Sequence, residues 1–247
     1  MDRSEITIVD NAAAIAETAA GLIADAAEAA VAARGRFTIA LSGGGTPRAT
    51  YTRMTLPPYV DRMPWARTWV FFSDERCVGP EHPESNYRMA YDAMLSKVPV
   101  PKEQTFRMQG EVEDFEAAAQ DYARRITEAF GLRRGETPRF DVILLGLGVD
   151  GHTASLFPGS PAVREVFRPV AAVHAAAAAI PKRLTLTFPV ITTAARIVFL
   201  ASGSEKAKVV KAVLTEGAML PAAMARPTDG RLDWILDRDA ARLLPSR

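Results

Sequence analysis

Apolar positions along the chain follow two periods, and the places where the period changes mark the elements. A short β-prone stretch, Ile6 to Val9, comes first. Asp10 or Asn11 is then placed to cap a long helix, because Ile15, Ala19, Leu22, Ile23, Ala26, Ala30 and Val31 recur at the 3.6-residue spacing of one helical face. Phe37 to Leu41 is a short apolar run ended by glycines, as a buried strand would be, and Thr46-Pro47 starts a helix reaching about Leu56. The alternation recurs: Thr68 to Ser73 reads as a strand, Ser85 to Leu95 and Phe115 to Phe130 as helices, and Phe140 to Leu147 as the clearest buried strand. Beyond it, Arg183 to Thr187 is β-like, Arg196 to Ala201 is a strand, Ser204 caps a helix to about Glu216, and Leu232 to Leu236 supplies a last strand.

Parallel strands need crossovers, and crossovers bring helices. Strands alternating with helices of roughly 10 to 15 residues therefore predict an α/β fold of three layers, a mainly parallel sheet with helices on both faces. The Pro-rich connections, Leu56 to Pro64 and Pro99 to Pro101, are short, and no repeat or long linker divides the chain. A single domain over residues 1–247 is expected.

Composition narrows the partners. Lys and Arg number 30 against 29 Asp and Glu, so no whole-molecule field draws the chain to nucleic acid or to an anionic membrane. Met1 to Asp10 carries Asp2, Arg3 and Glu5 without an apolar run behind a basic stretch, so a cytoplasmic location is expected. The longest apolar run, Ala171 to Ile180, is interrupted by His174 and is far shorter than the ~20 residues of a membrane span. Cys77 is the only cysteine, which excludes an intrachain disulfide and a cysteine zinc cluster. His82, His152 and His174 are too scattered to suggest a metal site, and no cofactor is called for.

In open α/β sheets ligands bind beyond the carboxyl ends of the strands, so the chemistry is sought in loops leaving strand ends. Three are unusual. In Ser42-Gly43-Gly44-Gly45-Thr46-Pro47 the glycines let the backbone approach an anion, and the helix start points free N–H groups at it. The alternative is a tight strand-to-helix turn with no ligand. The second loop, Ser73-Asp74-Glu75-Arg76, crowds charges after a buried strand, with His82 to Tyr87 opening the next helix. Such charges face either a cleft or solvent, and Ser85 suits a helix cap in both cases. The third loop, Gly146 to Gly159, holds four glycines, Asp150 two residues before His152, and a Pro-Gly stop. His152 alone among the histidines sits on a glycine-rich loop at a strand end, where an imidazole can meet a ligand, whereas His174 reads as structural and His82 as a turn residue.

Together these residues resemble the 6-phosphogluconolactonase family. Leu41 to Pro47, Asp74-Glu75-Arg76, His82 with Ser85-Asn86, and Gly146 to Pro158 fall in that family's order, as do Arg183 to Thr187, Gly203 to Ala207, and Trp234 to Asp237 followed by Ala240-Ala241. The nearest competitor is glucosamine-6-phosphate deaminase, which shares the glycine loop and an Asp-Gly-His segment. There a glutamate follows the histidine by five positions and moves protons; here that position is Phe157. The deaminase also has tyrosine in place of Arg76 and lacks the counterpart of Arg183. A sugar-phosphate sensor is a third possibility, but a sensor has no need of both His152 and Asp150.

The lactonase resemblance implies hydrolysis of 6-phospho-D-glucono-1,5-lactone to 6-phospho-D-gluconate, a step of the oxidative pentose phosphate pathway. His152 is the expected base that activates water, since a neutral imidazole titrates near working pH. Asp150 orients it or binds sugar hydroxyls, and Asp74 binds hydroxyls from the neighbouring strand end. Ser42, Gly43, Gly44, Thr46, Asn86, Arg183 and Lys206, with Arg76 as a further candidate, are expected around the substrate and its phosphate. A cation in the first turn of a helix, as Lys206 would be, opposes the helix dipole unless an anion is near.

Overall fold

The computed structural model describes residues 4–176 and 178–245, so Asp2 and Arg3 lie outside the described residues. The strands are Ser4–Val9 (β1), Phe37–Leu41 (β2), Thr68–Phe72 (β3), Asp74–Arg76 (β4), Val142–Leu145 (β5), Val170–His174 (β6), Lys182–Leu186 (β7), Arg196–Ala201 (β8) and Arg231–Asp237 (β9). The helices are Ala12–Arg34 (α1), Gly45–Met54 (α2), Tyr59–Arg62 (α3), Asn86–Ala90 (α4), Phe115–Phe130 (α5), Phe188–Ile191 (α6), Ala207–Thr215 (α7), Pro221–Met224 (α8) and Arg238–Ala241 (α9).

Six strands form one sheet in the order β1-β9-β8-β5-β2-β3, with every neighbouring pair parallel. Its central strands are apolar at successive positions because both faces are covered. Ile39, Leu41, Val70, Phe72, Val142, Leu144, Val198 and Leu200 pack toward α1, α2 and α3. The alternate set, including Ala40, Phe71, Ile143, Leu145, Ile197, Phe199 and Trp234, packs toward α5 and α7. Asn11 Oδ1 accepts from Ala14 N at 3.0 Å and so starts α1 at the expected place. No helix among the described residues is long and apolar enough to cross a membrane.

Four expectations need correction. The Ser73 to Arg76 segment is a strand as well as a loop: β4 joins β7 and β6 in a separate three-stranded antiparallel sheet, which shares the second face of the large sheet with α5 and α7. Ser73 makes the crossing, its N–H donating to Leu41 O at 2.7 Å and its carbonyl accepting from Leu186 N at 2.8 Å. The strand expected over Phe140 to Leu147 pairs only over Val142–Leu145, because Asp141 is held through its side chain by Thr38 and the chain beyond Leu145 turns into the site. Ser204 is not a helix cap. Gly203 precedes a 3-10 turn, Ser204–Lys206, which leads into α7 with no side-chain cap. The helix expected over Ser85 to Leu95 keeps its Ser85 cap, with Arg88 N donating to Ser85 Oγ at 3.1 Å, but widens into a π turn over Tyr91–Leu95.

The strand order reverses between β2 and β5. From β2 the chain proceeds outward to β3, whereas from β5 it proceeds through β8 and β9 in the opposite direction. The loops leaving the two strands therefore diverge, opening a crevice at their carboxyl ends.

Candidate active site

That crevice is a cavity of about 460 Å³. One wall is Ser42 to Pro47 after β2, a second is Gly146, Leu147, Gly148, His152 and Ala154 after β5, a third is Ser202, Glu205 and Lys206 after β8, and the small sheet contributes Asp74, Arg76 and Arg183. Ten of the eleven sequence candidates thus meet at one place: Ser42, Gly43, Gly44, Thr46, Asp74, Arg76, Asn86, His152, Arg183 and Lys206. Asp150 is not on the wall; it stands behind His152.

His152 is held from that side. Its Nδ1 lies 2.6 Å from Asp150 Oδ1, and the same oxygen accepts the His152 backbone N–H at 3.1 Å. A carboxylate only accepts, so Nδ1 is the donor of this pair, and in the neutral imidazole the Nε2 lone pair is left to accept. Partial burial opposes ionisation of Asp150, but the His152 backbone hydrogen bond and the nearby imidazole outweigh it and hold the carboxyl below its ordinary range. The ring packs on Gly148, where a Cβ would stand 2.1 Å from Nδ1, so only glycine leaves room for the imidazole. Its other neighbour is Phe157, with ring centroids 4.4 Å apart. The loop is closed by Gly148 N to His152 O at 2.8 Å and by Thr153 Oγ1 to Gly146 O at 2.9 Å, and Ala222 N ties it to α8 through Gly151 O at 3.0 Å. Ala154 is left-handed at φ 47°, a conformation costing about 1 to 2 kcal/mol for a residue with a Cβ, and the strain sits on the cavity wall.

The cationic wall follows from strand alternation. Asp74 and Arg76 lie on one face of β4, opposite Thr185 and Arg183 of β7. Arg76 and Arg183 are therefore direct cross-strand neighbours, an arrangement that like charges destabilise unless an anion lies between or above them. Arg76 Nη1 donates to Glu84 O at 2.6 Å and lies 3.5 Å from the Glu84 carboxylate, and its buried Nε has no partner. Arg183 Nε donates to Ile180 O at 3.1 Å, and no carboxylate of the described residues forms an ion pair with it. Burial is the main influence drawing its pKa down, with Asp74 opposing. Across the cavity the first turn of α2 presents its N–H groups, and Ser42 Oγ is buried without a partner. Lys206 completes the set, its loop anchored by Asp237, which accepts Gly203 N at 3.0 Å and the Ser202 hydroxyl.

Asp74 is engaged. Ser155 Oγ donates to its Oδ2 at 2.7 Å and Asn86 Nδ2 to its Oδ1 at 3.1 Å. Asn86 in turn stands over Gly43, where a Cβ would lie 1.9 Å from Asn86 Oδ1, so this glycine serves the Asn86 contact as well as any ligand. Behind Asn86, the buried Glu75 carboxylate accepts Asn86 N at 2.7 Å, Tyr87 N at 2.8 Å, Ser85 Oγ at 3.0 Å and Arg76 N at 2.8 Å, although burial pushes its pKa up. Sequence reasoning missed Glu75, Ser155, Glu205 and Asp237 as parts of the site. All four lie within segments it did single out, but the contacts that give Ser155 and Asp237 their places, to Asp74 and to Ser202, are with residues distant in sequence. Among the described residues no three His, Cys, Asp or Glu side chains come together as a metal site.

The model of the glucosamine-6-phosphate isomerase/6-phosphogluconolactonase family matches residues 10–234. A 6-phosphogluconolactonase of Rattus norvegicus is 41% identical, the match covering 85% of this chain and 82% of that one. A probable chloroplastic 6-phosphogluconolactonase 4 of Oryza sativa subsp. indica is 36% identical over 98% of this chain and 78% of its own. Among solved structures, the 6-phosphogluconolactonase of Trypanosoma cruzi superposes with a TM-score of 0.88 at 29% identity, covering 100% of this chain and 99% of that one.

Proposed function

Since the chain belongs to the glucosamine-6-phosphate isomerase/6-phosphogluconolactonase family, we propose that it is a lactonase that opens 6-phospho-D-glucono-1,5-lactone to 6-phospho-D-gluconate. The observation that carries this reading is the meeting, in one cavity, of His152 held by Asp150 and a cross-strand arginine pair of which only Arg76 has a carboxylate partner, Glu84. His152 Nε2 takes a proton from water as the oxygen attacks the lactone carbonyl. The resulting oxyanion collapses, the bond to the ring oxygen breaks, and His152 returns the proton to that oxygen. Asp150 keeps the imidazole in the productive tautomer. The phosphate rests on the α2 first turn, Ser42, Arg76, Arg183 and Lys206, where charge-assisted hydrogen bonds supply both orientation and selectivity. Asp74 and Asn86 are left to meet sugar hydroxyls. Neither a metal nor a cofactor enters the reaction, and the chain works in the cytoplasm.

The deaminase reading has less support. Phe157 lies against His152 at the place where deamination needs a group that carries protons, and its ring carries none. The test uses freshly generated 6-phosphogluconolactone beside unphosphorylated gluconolactone, each corrected for spontaneous hydrolysis. His152→Ala is expected to lose about 100-fold to 10,000-fold on the phosphorylated substrate. Arg183→Ala and Lys206→Ala are each expected to lose about 10-fold to 100-fold there and little on the other substrate. An equal loss on both substrates would remove the phosphate assignment, and near-native turnover in His152→Ala would remove the base.

A further inference from the structure

A second cavity, of about 430 Å³, shares no residue with the active site. It lies between α4 with its π turn and the segment that runs from Val100 to Gln109. Three features set it apart from an ordinary surface groove.

The first is aromatic. Tyr87 and Tyr91 both line it, with ring centroids 5.9 Å apart and planes at 36°, and Tyr91 is 44% exposed. The second is an excess of positive charge, since Arg88, Lys102, Arg107 and Arg125 share the lining with one acid, Glu81. Arg88 is answered by Glu81 and Asp92, and Arg107 by Glu111. Lys102 and Arg125 form no ion pair among the described residues; Arg125 donates to Arg107 O at 3.1 Å and stacks over Phe106. The third is the backbone. Ser96 N donates to Tyr91 O at 3.0 Å, five residues back, and the widened turn puts both Tyr91 and Leu95 on the cavity wall. Such π turns are rare and occur frequently at functional sites.

We propose that this cavity binds a mononucleotide, with its base against Tyr91 and Tyr87 and its phosphate on Lys102 and Arg125. A bare anion would leave the exposed tyrosine face unused, and an uncharged ring would leave the unpaired cations unanswered. A ligand that joins a planar ring to an anion meets both, and the volume is in the range of small-molecule sites. Stacking of bases on aromatic side chains and contact of phosphates with cations are the two means by which single-stranded nucleic acids are held without sequence reading, and a mononucleotide offers both groups.

The experiment is calorimetric titration of the full chain with AMP, with adenosine and inorganic phosphate as separate arms. Saturable AMP binding is expected, at least tenfold tighter than either fragment alone. Tyr91→Ala and Lys102→Ala should each weaken it about tenfold or more, while Tyr91→Phe retains it. Lactone hydrolysis should be unchanged in all three variants, because neither residue touches the active cavity, and this also verifies that they fold. No saturable AMP binding, wild-type affinity in either alanine variant, or phosphate binding as tightly as AMP would each overturn the proposal.

Discussion

Asp150→Asn isolates orientation from chemistry. The aspartate holds His152 through a single oxygen that accepts both Nδ1–H and the backbone N–H, at 2.6 and 3.1 Å. Asparagine has the same shape, so the loop keeps its form, but the contact loses its charge. Its amide can also rotate to offer N–H to Nδ1, which would place the imidazole proton on Nε2, where it cannot accept one from water. A hydrogen bond to a charged group contributes roughly 1.5 to 3 kcal/mol. The two side chains are 32% and 48% exposed, so screening by solvent places the loss at the lower end, about 1.5 to 2 kcal/mol. That corresponds to a fall in kcat of about 10-fold to 30-fold. Substrate binding is formed by other walls, so KM should stay within about twofold. The assay is steady-state hydrolysis of 6-phosphogluconolactone by wild type, Asp150→Asn and His152→Ala, with the imidazole tautomer followed by nitrogen NMR. A kcat unchanged within twofold would show that orientation by Asp150 is unnecessary. A several-fold rise in KM with kcat intact would assign Asp150 to sugar binding instead.

Glu75→Gln should destabilise the fold by about 1 to 3 kcal/mol, seen in urea unfolding, because an amide N–H₂ would face some of the four donors that now converge on the carboxylate. Retained stability together with retained activity would show that this network does not position Asn86. A pH effect is expected at Glu165, whose Oε1 accepts the backbone N–H groups of Val166, Phe167 and Arg168 at 3.0, 2.8 and 3.0 Å. Desolvation opposes its ionisation, but these bonds and Arg168 prevail and lower its pKa to about 2. The folded value lies below the unfolded one, so its stabilisation is complete above about pH 4.5 and is lost as pH falls toward 2. Glu165→Gln should therefore melt about 2 to 4 °C below wild type at pH 7 and match it near pH 2; a gap that persists in acid would contradict the linkage.

How much of this was legible beforehand differs from element to element. Phe37–Leu41, Phe115–Phe130 and Arg196–Ala201 fall where hydrophobic periodicity puts them, because burial on two faces of a sheet or one face of a helix is a local pattern. The three loops were readable for a related reason: glycines, charges and a histidine at strand ends are anomalies against that pattern. The Asp74–Arg76 strand was not readable. It has no apolar alternation of its own, and its β character comes from pairing with Lys182–Leu186, more than a hundred residues away. The same pairing puts Arg76 opposite Arg183, and no spacing along the chain encodes a cross-strand register. Likewise the sequence places Asp150 two residues from His152 but leaves open whether its carboxylate meets the imidazole or a sugar, a choice made by the fold of the loop over Gly148. Sequence alone thus determined the parallel core and the chemical types available at its carboxyl edge, since both follow from local periodicity and composition. Which of those groups face one another was decided by the tertiary structure, because contacts between distant segments depend on register and packing that no local pattern carries.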